Sequence, residues 1–113
     1  MEFDNNKPIY LQIADTICEK ILSGEHKPED RILSVREFSA EVGVNPNTVQ
    51  RSYESLTMAG TIYNKRGIGY FISPDGLEKV LERERKYFYE NELPQFMKRV
   101  KLLNIDIKTI IDE

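Results

Sequence analysis

The side chains best suited to chemistry lie together in mid-chain, in Asn45-Pro46-Asn47-Thr48-Val49-Gln50-Arg51. Asn45 reads as the N-cap of a helix and Pro46 as its first residue. On that helix Asn47, Thr48, Gln50 and Arg51 fall off the apolar face carried by Val49 and Leu56. Asn, Thr, Gln and Arg are the side chains whose donors and acceptors match base edges in a major groove. A helix start also offers unpaired N–H groups to a phosphate. One helix earlier, Ser34 and Arg36 can hold a phosphate backbone. Further on, Lys65-Arg66-Gly67-Ile68-Gly69 forms a basic tip that can reach a minor groove or its phosphates. Each residue alone has a plainer reading. Asn45 is first an N-cap, Ser34 and Glu37 are explained by a capping box, and the four cations are ordinary solvated residues. Their grouping is what points to nucleic acid.

Catalytic chemistry finds little support. His26 is the only histidine and falls in a polar loop, and Cys18, the only cysteine, lies on an apolar helical stripe. No glycine-rich phosphate loop precedes a helix, and residues 82–85, Glu-Arg-Glu-Arg, read as a solvated helix face. No enzyme activity, metal or cofactor is therefore expected. A single cysteine excludes an intrachain disulfide framework and a Cys-rich metal site. No apolar run approaches the roughly 20 residues of a membrane span. The start, Met1-Glu2-Phe3-Asp4, lacks the basic and apolar regions of a signal peptide. The expected address is the cytoplasm, without membrane contact.

The elements that must hold these residues follow from spacing. The first six residues are polar and expected to fray. After Pro8, Ile9, Ile13, Ile17 and Ile21 recur every four residues, giving an amphipathic helix that Gly24 ends. Residues 25–33 read as a polar loop. Ser34-Val35-Arg36-Glu37 is a capping box that opens a short helix with Val35, Phe38 and Val42 inward, stopped by Gly43. Only Val44 separates that stop from Asn45, and the next helix runs to about Ala59. Its inward face is Val49, Tyr53 or Ser52, Leu56 and Ala59. Thr61-Ile62-Tyr63 and Tyr70-Phe71-Ile72 then flank the basic tip as a hairpin. Two short helices joined by a tight turn and followed by a hairpin make a winged helix-turn-helix. The expected class is mostly α with a small β-hairpin. Ser73-Pro74-Asp75-Gly76 marks a boundary, so residues 1–73 form the binding domain and residues 74–113 a helical tail, which Pro94 breaks or kinks.

The run from Arg31 to Leu56, containing Leu33-Ser34-Val35-Arg36-Glu37 and Gly43-Val44-Asn45-Pro46-Asn47-Thr48-Val49-Gln50-Arg51, resembles the helix-turn-helix of GntR-type bacterial transcription regulators. Gly60-Thr61-Ile62-Tyr63-Asn64-Lys65-Arg66-Gly67-Ile68-Gly69-Tyr70-Phe71 is similar to that family's wing. The likeness spans roughly residues 8–73. It implies DNA contacts for Arg36, Asn45, Pro46, Asn47, Thr48, Gln50 and Arg51, and at the wing tip for Arg66 and Gly67, with Lys65 and Gly69 beside them. Leu33 stands where the family often has proline, which changes how rigidly the loop enters the helix.

About 40 residues remain after the wing, too few for the large effector domain many such regulators carry. A short helical tail is similar to the YtrA-like branch, where it implies dimerisation. Physical chemistry agrees. Leu77, Val80, Leu81, Tyr87, Phe88, Phe96, Met97, Val100 and Leu103 are more large apolar residues than two kinked helices can cover. Some can dock within the chain, and the remainder favours a twofold homodimer. Two recognition helices about 34 Å apart would read half-sites one turn apart, so the expected operator is an inverted repeat and the expected outcome repression. The rival reading is a winged helix used for protein contacts alone. A small-molecule effector is compatible with the chain, but no residue pattern identifies one.

The 113 residues hold 16 Lys and Arg against 19 Asp and Glu, a net charge of -3, which alone argues against phosphate binding. The charge is uneven, however. Residues 45–73 carry Arg51, Lys65 and Arg66 against Glu54, whereas residues 1–44 carry 5 basic and 9 acidic side chains. The acidity lies mostly off the binding face, which predicts low non-specific affinity and modest salt sensitivity.

Overall fold

A computed structural model describes Phe3 and residues 6–111 of the chain. The residues expected to fray include 1, 2, 4 and 5, which lie outside that description, whereas Phe3 packs against the core. The four-residue spacing of isoleucines becomes α1 (Ile9–Leu22), with Ile13, Ala14, Ile17, Cys18 and Ile21 buried. Ile9 departs from the stripe and is exposed, since it precedes the first turn that meets the core. Pro8 accepts the N–H groups of Leu11 and Gln12 at 3.1 and 3.2 Å, and Gly24 closes the other end at φ 85°. The capping box opens α2 (Val35–Val42), Gly43 ends it at φ 70°, and α3 (Pro46–Met58) follows at once. The Ser39 hydroxyl donates to the Val44 carbonyl and so fixes the turn between them.

Both Ser52 and Tyr53 are buried on α3, with Val49 and Leu56, because each polar group has a partner. The Ser52 hydroxyl donates to the Tyr10 carbonyl at 2.5 Å, and the Tyr53 hydroxyl donates to the Leu33 carbonyl at 2.6 Å. Ala59, expected inward, is exposed, because the helix ends there and Gly60 turns the chain into the hairpin at φ 78°. That hairpin is β1 (Ile62–Lys65) antiparallel to β2 (Gly69–Ile72), with Ile62 opposite Ile72 and Lys65 opposite Gly69.

The stretch read as a polar loop does more than connect. Arg31 bridges Phe71, Ile32 N–H donates to Tyr70 at 3.0 Å, Glu29 N–H to Ile72 at 2.8 Å, and Ile72 N–H returns to Asp30 at 2.9 Å. Residues 29–32 thus line the free edge of β2, with Ile32 buried. Edge backbone groups would otherwise face water unpaired.

The first compact unit ends at Leu81. The boundary read at 73/74 falls two turns earlier than this division, because α4 (Gly76–Tyr87) begins with residues that belong to the core. Val80, expected at a dimer interface, is a correction: it is 3% exposed within the core cluster, and Leu77 packs on that cluster's edge.

The second unit comprises residues 82–113. Pro94 neither breaks nor ends the helix. It lies in the first turn of α5 (Leu93–Leu102), and the preceding Phe88–Glu92 is a π-helical segment in which Leu93 N–H reaches back to Phe88. A proline ring crowds the carbonyl four residues before it, and a widened turn relieves that contact. Asn104, at φ 53°, separates α5 from the short α6 (Lys108–Ile111). Val100 is buried, while Tyr87, Phe88, Phe96, Met97 and Leu103 are exposed. Among the described residues no helix is long and apolar enough to cross a membrane.

Candidate nucleic-acid interface

The capping box decides what Ser34 can still offer. Its hydroxyl accepts the Glu37 N–H at 3.0 Å, and Glu37 Oε1 accepts the Ser34 N–H at 2.9 Å. The hydroxyl proton is shared with the Glu37 carboxylate, so a phosphate at this helix start competes with that carboxylate for it. The Ser34 N–H, then its hydroxyl, and to a lesser degree the Arg31 charge hold the Glu37 carboxyl below its ordinary value of 4.5. Arg36, two residues after Ser34, is exposed on the first turn of α2.

Recognition-helix side chains are arranged by a second cap. Asn45 Oδ1 accepts the Asn47 N–H at 2.8 Å, which commits its acceptor and leaves its amide donors. Asn45, Pro46, Asn47 and Arg51 are exposed, and Thr48 and Gln50 half-buried. Gln50 Nε2 donates to Glu54 Oε1 at 3.3 Å, a contact that an incoming base edge can replace. The Arg51 guanidinium carbon sits 3.9 Å from the centre of the Tyr10 ring. Pro8, Ile9, Tyr10, Asn47, Thr48 and Arg51 line one concavity of about 420 Å³.

At the wing tip Ile68 N–H donates to Lys65 at 2.8 Å, which closes a tight turn around the exposed Arg66 and Gly67. Gly67 holds φ 79°, where a side chain would be strained. Gly69 has two reasons to be glycine: φ 146°, and a Cβ there would lie 2.9 Å from Arg31 Nε. Lys65 lies back along the strand, its ammonium 5.0 Å from the Phe71 ring centre, so Arg66 is the foremost cation of the tip.

All twelve residues marked in the sequence thus fall at two helix starts and one hairpin tip. Two participants were missed. Arg31 has its Nη2 3.8 Å from Glu37 Oε1 and passes under Gly69, tying the start of α2 to the wing. No alternation marks a strand there, because the two residues after Arg31, Ile32 and Leu33, are both apolar. The other is Tyr10, which follows Ile9 at the start of α1, and no local pattern announces its partner 41 positions later.

Residues 9–72 match the family model of bacterial regulatory proteins, gntR family. The HTH-type transcriptional repressor YtrA of Bacillus subtilis is 34% identical over 102 residues, covering 90% of this chain and 72% of that protein. A GntR family transcriptional regulator from Listeria monocytogenes superimposes with a TM-score of 0.78 at 36% identity, over 96% of this chain and 94% of its own. The AraR DNA-binding domain solved in complex with operator ORR3 has a TM-score of 0.59 at 25% identity, over 65% of this chain and 88% of its own. With a model match over more than half its length and a YtrA relative along most of it, the chain belongs to the gntR family of bacterial regulatory proteins, and it is a transcriptional regulator of the winged helix-turn-helix type.

Proposed function

We propose that this chain is a homodimeric repressor that lays α3 in the major groove of each half of an inverted-repeat operator. The observation that carries this is the division of α3. Val49, Ser52, Tyr53 and Leu56 are buried, while Asn47 and Arg51 project outward with side chains that match base edges. Thr48 and Gln50 flank them. Arg36, the Ser34 hydroxyl and the capped start at Asn45 and Pro46 serve the phosphates of one strand. Arg66 and Gly67 enter the adjacent minor groove, with Lys65 and Gly69 supporting the tip. AraR bound to its operator supports DNA as the partner, and the repressor YtrA supports repression.

The tail supplies the second half of the reading. Residues 1–73 bind DNA, and residues 74–113 join two copies through Leu81, Tyr87, Phe88, Phe96, Met97 and Leu103. The exposure of the last five favours this, because burying each such side chain stabilises an association by about 1.5–3 kcal/mol before the costs of docking. The work is done in the cytoplasm, without a cofactor or a catalytic step.

The test is selection of bound sequences from a random duplex pool, followed by a shift assay. A motif with twofold symmetry is expected. Failure to enrich any motif would favour a protein-interaction module instead.

A further inference from the structure

Arg51 is exposed, yet it is not left to solvent. Its guanidinium carbon lies 3.9 Å from the Tyr10 ring centre, well inside the roughly 6 Å range of a cation–π contact. A guanidinium held over a ring face by its charge still has N–H donors for another partner. The ring is held from its own backbone. The Tyr10 carbonyl accepts the Ser52 hydroxyl at 2.5 Å, and Ser52 is the residue after Arg51. Cation and ring are thus fixed by adjacent residues of α3. Asn47 and Thr48 line the same concavity.

We propose that Tyr10 is a positioning residue for base recognition. Its ring holds the Arg51 guanidinium in one orientation beside Asn47 and Thr48, so α1 contributes to operator specificity without reading a base. An arginine already held against a ring loses less side-chain freedom on meeting its partner, and fewer wrong partners suit it. The role rests on the DNA-binding reading above. If Tyr10 only packed α1 on α3, its loss would lower stability, act on every duplex alike and be indifferent to residue 51.

The experiment is a double-mutant cycle on the full chain, with affinities measured for the selected operator and a random duplex, and with thermal melts of each protein. Tyr10→Leu should weaken operator binding about two- to thirtyfold and leave random-duplex affinity within about twofold. Tyr10→Phe, which keeps the ring face, should bind as wild type. Tyr10→Leu should add nothing further to Arg51→Ala. Losses that add in full, equal losses on both duplexes, or a Tyr10→Leu protein that binds as wild type would each overturn the role. If the leucine variant melts below the assay temperature, Tyr10→Met carries the same expectations. A wild type without sequence preference overturns the DNA reading and this role with it, whereas a selective wild type with additive variants overturns the role alone.

Discussion

Ile13, Val49, Leu56, Ile62 and Ile72 of the first unit are at most 1% exposed, whereas Phe88, Phe96 and Leu103 of the second are 42%, 42% and 54% exposed. Both groups sit in sequences with the same helical or alternating periodicity. Three helices and a hairpin give each apolar face of the first unit another face to meet within the chain. Among its described residues the second unit has only short consecutive helices, and a helix cannot bury a wide apolar stripe alone. Periodicity therefore tells which residues seek cover, and element count tells whether the chain supplies it. Within α3 the same contrast runs around one helix, with the core on one side and polar side chains on the other.

Substitutions test this contrast from both sides. The largest expected effect is on assembly: Phe96→Glu with Leu103→Glu should convert a dimer to a monomer in sedimentation equilibrium. Operator affinity should then fall about 10²–10⁴-fold, because the two readers are no longer linked. A monomeric wild type would remove the contrast at its root. Next comes the covered side of α3, where Leu56→Ala should cost about 2–5 kcal/mol in urea unfolding. Met58→Ala, two residues on and 90% exposed, should stay within about 0.5 kcal/mol. On the polar side, Arg51→Ala and Arg66→Ala should each weaken operator binding by about 1–3 kcal/mol without changing the melt, and should lower the salt slope by about one where the contact is to phosphate.

Smaller effects belong to the helix start. Ser34→Ala removes the acceptor for Glu37 N–H and should cost about 1 kcal/mol. The same box gives a pH signature. Glu37 titrates below its ordinary 4.5 in the folded chain, so its contribution is complete above about pH 4.5 and is lost as pH falls through the lower folded value. Stability measured against pH in acid should show a shallower fall for Glu37→Gln than for wild type.

Much of the fold was legible because it is local. The capping box, the glycine stops at 24 and 43, the Asn45-Pro46 start and the wing glycines each act within a few residues, and the structure has each of them. Contacts distant in sequence were not legible. Residues 29–32 form an edge along β2 some 40 positions away, and Tyr10 meets Arg51 across a similar gap. Val80 read as tail until the core of the first unit was seen to include it. Pro94 was read as a break or a kink because the cost of an inner proline is usually relieved in one of those ways, whereas the chain stays helical here through a π-helical turn. The candidate site followed the same rule. Side chains on a cap or a tip could be named from spacing, and the residues that orient them could not.

Tyr53 ties several of these parts together. It is fully buried, its hydroxyl bonds the Leu33 carbonyl, and its ring stands edge-on to Phe38 at 6.3 Å and Tyr70 at 4.9 Å. Recognition helix, preceding helix and hairpin therefore share one fastening, and none can swing open while it holds. The amides of Ile32 and Ile72, bonded between residues 29–32 and β2, and of Thr61, bonded back to Leu56 at the end of α3, surround this fastening and should exchange with solvent together, on the timescale of global unfolding rather than local fraying. Adjustment to an operator then falls to side chains and to the wing tip.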